Sequence, residues 1–170
     1  MTTNNFDKTI SEVILAETGG KPNGGYTNDP TDRGGRTQYG ISERANPQAW
    51  LDGKVTEEEA KQIYLQKYVI WPKFNLIPAS HAIVQKQLID YGVPSGPMIA
   101  IQKLQRVLGL TEDGVIGSKT LAALVTRDPK DVNNRLVLER LLMNARICKK
   151  DPSQLKYIDG WNMRAISFFV

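Results

Sequence analysis

The stretch "ILAETGGKPNGGYTNDPTDRGGRTQYGIS", residues 14–42, decides how the chain must be read. It opens as the end of a helix, with Ile14, Leu15 and Ala16 leading to Glu17. It then dissolves into glycines, prolines and short polar residues until apolar character returns at Ile41. Irregular segments of this length are uncommon inside compact domains and are usually functional when ordered. The stretch therefore reads as an active-site lobe, a small β-hairpin around residues 24–41, beside a helix that carries a carboxylate.

Working outward, Phe6, Ile10, Val13, Ile14 and Glu17 recur at three- and four-residue spacing, which predicts a helix from about Asp7 to Glu17. That spacing places Glu17 on the apolar face and leaves Lys8, Ser11 and Glu12 in solvent. Downstream, "TEEEAKQIYLQKYV" opens with a capping box, Thr56 to Glu59, and a Glu57–Lys61 pair four apart. Ile63, Tyr64, Lys67, Tyr68 and Trp71 are expected to continue its buried face until Pro72 stops it. A helix with Ile83, Val84, Leu88 and Ile89 inward precedes the breaker "GVPSGP". A helix from Pro97, an Asp113-Gly114 turn, a helix opened by Ser118 or Thr120, and a long helix from about Pro129 to Lys149 complete the pattern. No internal repeat or low-complexity linker separates these pieces. The expectation is an α+β fold, predominantly helical.

Composition narrows the chemistry. The 170 residues suit one domain, or one domain with a small second lobe, and 41% hydrophobic with 24% charged residues is ordinary for a globular protein. One cysteine and one histidine cannot form a Cys/His zinc site, and Cys148 sits in a helical run as a core residue, so neither metal nor thiol chemistry is expected. His81 lacks a catalytic partner at a recognisable spacing. The net charge of +4 favours a polyanionic partner, and without a basic run interleaved with aromatics that partner is not nucleic acid. "MTTNNFDKTISEV" has neither a basic nor an apolar signal region, and no apolar stretch is long enough to cross a bilayer, so no membrane insertion is expected.

Glu17, Asp32 and Thr37 form the candidate constellation, with Asp29 nearby. Cleaving a glycosidic bond needs a proton donor for the leaving oxygen, and a carboxylic acid serves when desolvation raises its pKa. Glu17, ending an apolar helical face, has that setting. The alternatives on residue types alone are a helix-terminal surface carboxylate at Glu17, turn-stabilising aspartates at 29 and 32, or a calcium loop that lacks EF-hand spacing.

The string "GGYTNDPTDRGGRTQYGIS", preceded by a helical Glu, resembles the signature of glycoside hydrolase family 108, the phage endolysin-type muramidases. "KQIYLQKYVIWPKF", "LIDYGVPSGPMIAIQKLQ", "DGVIGSKTLAAL" and "GWNMR" resemble the same family in the same order, across nearly the whole chain. Here "TGGKPN" stands between Glu17 and "GGY", where the family joins them directly, and Pro94 stands where relatives tend to carry Asn. The resemblance implies a lysozyme-like fold, with a catalytic region at 1–90 and a helical C-terminal lobe at 91–170 packed as one compact domain. "AIQKLQRVLGLTEDGVIGSKTLAAL" in that lobe is similar to a peptidoglycan-binding pattern.

By the same resemblance, Glu17 is the general acid, Asp32 positions or activates water, and Thr37 helps to hold it. Tyr26, Asp29, Tyr39 and Asp90 contact substrate. The implied reaction cleaves the β-1,4 bond between N-acetylmuramic acid and N-acetylglucosamine in bacterial peptidoglycan, with no cofactor, by a monomer. A chain without an export signal fits an endolysin made in the host cytoplasm and released by a holin; a secretion-system effector would look the same. Lytic transglycosylation and non-catalytic wall binding are the competing readings.

Overall fold

The computed structural model describes residues 6–29 and 34–170, which form two compact units, residues 1–67 and 68–170. Helices dominate both. The described residues contain one sheet, a two-stranded antiparallel hairpin, so the chain is α+β and predominantly helical with a lysozyme-like hairpin lobe, as expected.

In the first unit, helix α1 spans Asp7–Thr18 and buries Ile10, Val13 and Ile14. Gly19, in the left-handed conformation at φ 60°, ends it and returns its N–H to the Leu15 carbonyl. The "TGGKPN" segment then makes a tight turn, α2 (Pro22–Gly25), with positive φ at Asn23, Gly24 and Gly25. It is tied to the hairpin: Tyr39 N–H donates to the Gly24 carbonyl at 2.7 Å, and the Gln38 amide donates to the Asn23 carbonyl and side-chain oxygen. The extra residues thus form a cover packed on the hairpin.

Strands β1 (Thr37–Gln38) and β2 (Ile41–Ser42) pair with Thr37 opposite Ser42 and Gln38 opposite Ile41, and Thr27 bridges to the other edge of Thr37. The connecting residues Tyr39 and Gly40 have φ of 51° and 73°. Positive φ at both positions defines the two-residue turn whose twist suits a hairpin. Helix α3 (Glu57–Leu65) starts at the expected capping box. Glu59 N–H donates to Thr56 Oγ1 at 3.2 Å while Thr56 N–H donates to Glu59 Oε2 at 2.8 Å, and Lys61 pairs with Glu57 at 2.7 Å. A cap of this kind contributes about 1 kcal/mol.

The buried face expected to run on through Trp71 does not. A π-helical turn at Gln66–Ile70 follows α3; its wider winding rotates later side chains, so Val69 is fully buried and Trp71 is 73% exposed.

The second unit is helical throughout: α4 (Ala82–Ser95), α5 (Pro97–Leu108), α6 (Ser118–Val125), α7 (Pro129–Lys150) and α8 (Ile158–Ile166). Val84, Leu88, Ile101, Leu104, Leu124, Leu136 and Val137 form its core. Pro94 falls in the last turn of α4 and does not end it early; Gly96 separates α4 from α5. Cys148 and His81 are buried, with His81 bonded through its ring nitrogens to Ser80 Oγ and the Arg127 carbonyl, which makes it a packing residue. Neither Ser118 nor Thr120 caps α6, whose N-cap is Gly117. Thr120 is instead buried and accepts from Gln105 Nε2 at 3.3 Å.

Gln105 explains the Leu-Gln and Asp-Gly parts of the C-terminal pattern. Its Nε2 donates to Asp113 Oδ1 at 2.6 Å and to the Val115 carbonyl at 3.1 Å, and its Oε1 accepts from Gly114 N–H at 2.9 Å. One buried amide thereby holds the turn between α5 and α6. No helix among the described residues is long and apolar enough to cross a membrane.

Candidate active site

The hairpin and the end of α1 meet at Gly40. A Cβ built there would lie 3.8 Å from Glu17 Cβ and 2.6 Å from the Tyr64 hydroxyl, so the turn approaches both as closely as a glycine permits. Tyr64 projects from α3 and donates its hydroxyl to the Tyr39 carbonyl at 3.2 Å. The opposite side of the hairpin is equally constrained, because a Cβ at Gly24 would meet the Tyr39 ring at 2.6 Å. Gln38, buried between these layers, also accepts from Val55 N–H at 3.0 Å. The turn beside Glu17 is therefore rigidly built.

Glu17 itself is exposed at the last turn of α1. This corrects the expected burial. The apolar stripe ends at Ile14, and at the C-terminal turn a side chain three residues further on has no helix above it to cover it. Glu12, expected in solvent, is half-buried. Thr37 lies at the centre of the small sheet, exchanging both backbone hydrogen bonds with Thr27 at 2.9 and 3.0 Å, and its side chain is half-buried. Tyr39 is half-buried in the hairpin turn, and Asp29 is exposed on the same lobe. Asp32 lies outside the described residues.

Tyr26, 43% exposed, packs against buried Trp50 with ring centroids 6.4 Å apart. The Arg36 guanidinium covers the Trp50 ring at 4.9 Å and is anchored to Glu43 at 2.7 and 2.9 Å. The Arg36 hydrogen bond holds the Glu43 carboxyl below its ordinary pKa.

The first unit thus gathers Glu17, Tyr26, Asp29, Thr37 and Tyr39 on one lobe and its flanking helix. Asp90 belongs to the second unit, buried on α4 with its carboxylate bonded to Arg140 at 2.8 Å and to Arg164 at 3.0 Å. Arg140 lies over the Tyr91 ring at 4.9 Å, and burial pushes the Tyr91 hydroxyl up to about 12. Residue types alone did not single out Tyr64, Gln38 or Gly40. The signal for the turn was present in "QYGI", where an adjacent Tyr-Gly separates two apolar or polar-paired positions. No group of three or more His, Cys, Asp or Glu suited to a metal occurs among the described residues.

An exposed carboxyl group at a helix end thus stands beside a hairpin that carries tyrosines. Residues 16–96 match the family model described as Glycosyl hydrolase 108, a match that begins one residue before Glu17. Residues 99–166 match the model described as Predicted Peptidoglycan domain. Together these define a glycosidase whose partner is peptidoglycan. Among solved structures, the chain is similar to that titled "Structure of Brucella abortus SagA", with 30% identity over 96% of this chain and 94% of that one and a TM-score of 0.64. None of the curated proteins matches. The chain belongs to glycosyl hydrolase family 108.

Proposed function

We propose that the chain is an N-acetylmuramidase that hydrolyses the β-1,4 bond between N-acetylmuramic acid and N-acetylglucosamine, with Glu17 as general acid. The observation that carries the reading is the contact of the Tyr39–Gly40 turn with Glu17. It sets an exposed carboxyl against a preformed surface on which a sugar can lie. A glycan laid on that surface brings its leaving oxygen to Glu17, the proton donor in this proposal.

Asp32 activates the attacking water in this proposal, and Thr37 helps to hold it. Such an inverting course requires carboxyl groups about 6.5–9.5 Å apart. Tyr26, Asp29 and Tyr39 supply contacts to the sugars. Asp90, buried and paired with Arg140 and Arg164, is left out of the sugar contacts. We place the enzyme as an endolysin made in a host cytoplasm and released to the wall by a holin. Mass spectrometry of fragments from purified sacculi tests the reaction: reducing muramic ends are expected, and anhydro-muramic ends would instead identify a lytic transglycosylase.

A further inference from the structure

The registers of the small sheet sort its side chains by alternation. Thr27, Thr37 and Ser42 stand opposite one another and share one face. Arg36 and Glu43 fall on the other face with Gln38 and Ile41, and Glu43 N–H donates to the Arg36 carbonyl at 2.8 Å. Thr37 is therefore preceded in the chain by a residue anchored on the opposite face.

That anchor has several parts. Arg36 Nε and Nη2 donate to the two oxygens of Glu43 at 2.9 and 2.7 Å, and Nη1 donates to the Gly53 carbonyl at 3.2 Å. The guanidinium also lies 4.9 Å from the centre of the buried Trp50 ring. A two-pronged pair of this kind fixes the plane of the guanidinium as well as its position. Glu43 reaches one residue further back: a Cβ built on Gly35, left-handed at φ 71°, would lie 3.5 Å from Glu43 Oε2. Gly35 is in turn the residue whose carbonyl accepts from Thr37 Oγ1, at 3.5 Å. With its proton directed there, the Thr37 hydroxyl keeps its lone pairs for the O–H of a water.

The Arg36 and Glu43 side chains are 30% and 38% exposed, and a pair so open to solvent adds little to stability. Its effect is geometric. We propose that Arg36 and Glu43 are positioning residues for the reaction, holding Gly35 and the entry to β1 so that the Thr37 hydroxyl meets the attacking water at a set point. Both act through Thr37 and not on the substrate. The inference rests on the reading of Thr37 above and deepens it by naming what aims that hydroxyl.

The test is a measurement of kcat and KM on soluble, uncross-linked glycan strands, read by reducing ends released per folded molecule. Wild type is compared with Thr37→Ala, Arg36→Met, Glu43→Gln and Thr56→Ala, each checked by circular dichroism and thermal melts. Thr56→Ala removes the cap of α3 in the same unit and serves as the control for a purely structural loss. Arg36→Met and Glu43→Gln are expected to lower kcat about ten- to a hundredfold, the scale of a small misplacement of reacting groups. KM should stay at the wild-type value, as for Thr37→Ala, while Thr56→Ala melts earlier and keeps both constants. If Thr37→Ala lowers kcat but folded Arg36→Met and Glu43→Gln match wild type, or raise KM alone, the positioning role is overturned and the reading of Thr37 stands. A wild type that releases no reducing ends, or Thr37→Ala with the wild-type kcat, contradicts the reading of the site and the positioning role with it.

Discussion

The Tyr64 hydroxyl donates to the Tyr39 carbonyl at 3.2 Å, joining helix α3 to the turn that touches Glu17. The bond holds a two-residue turn in which Tyr39, a side chain that disfavours positive φ, is kept at 51°. Removing the hydroxyl leaves the Tyr39 carbonyl without this donor. Tyr64→Phe is expected to cost about 1 kcal/mol of stability and to lower the rate of sacculus clearing, read by thermal melts and turbidity.

Gly40→Ala places a methyl group in a left-handed position and 2.6 Å from the same hydroxyl. Left-handed strain and overpacking together are expected to cost about 2–4 kcal/mol. Because the Tyr64 hydroxyl is the clashing atom, the pair Gly40→Ala with Tyr64→Phe should lose less than the sum of the single variants. Additive losses in denaturant melts would refute the contact.

In the second unit, Asp90 pairs with two guanidiniums at once, and Arg140 is almost wholly buried. Burial pushes the Arg140 pKa down while Asp90 holds it up. Asp90→Asn strands buried positive charge and is expected to cost about 3–5 kcal/mol. Chemical denaturation of this variant, compared with Asp90→Asn combined with Arg140→Met, should show the second change recovering part of the loss.

Acid should weaken the fold through its caps. Hydrogen bonds hold Glu59 at the start of α3, Asp113 in the α5–α6 turn and Asp151 after α7 below their ordinary pKa values. A carboxyl whose folded pKa is depressed binds its proton less readily folded than unfolded. Its stabilisation is complete above the unfolded pKa, about 4, and disappears as pH falls through the folded value. Melting temperature should hold near pH 6 and drop below about pH 4. The drop should be smaller in Glu59→Gln with Asp113→Asn.

Much of this was legible in the sequence where local chemistry decides structure. The Thr56–Glu59 capping box, the α1 stripe of Ile10, Val13 and Ile14, and the Asp113–Gly114 turn depend on neighbours a few residues away, and each forms as its pattern dictates. Trp71 was misread because a π-turn shifts the helical register, and nothing in apolar periodicity encodes that extra residue. Glu17 was assigned to the right helix and end, but its burial was misjudged: periodicity gives direction around a helix and says nothing of whether another element covers it. Tyr64 and Gln38 hold the hairpin through bonds to residues 25 and 17 positions away, which only the folded chain brings together.

The central claim is that Glu17 supplies the proton. Its most direct test is turbidity loss of purified peptidoglycan with wild type, Glu17→Gln and Glu12→Gln, each confirmed folded by circular dichroism. Glu17→Gln removes the acid with little change in shape, and the half-buried Glu12 one helical turn and a half away serves as the control. The account predicts clearing by wild type and Glu12→Gln and none by folded Glu17→Gln; clearing by Glu17→Gln at the wild-type rate would contradict it.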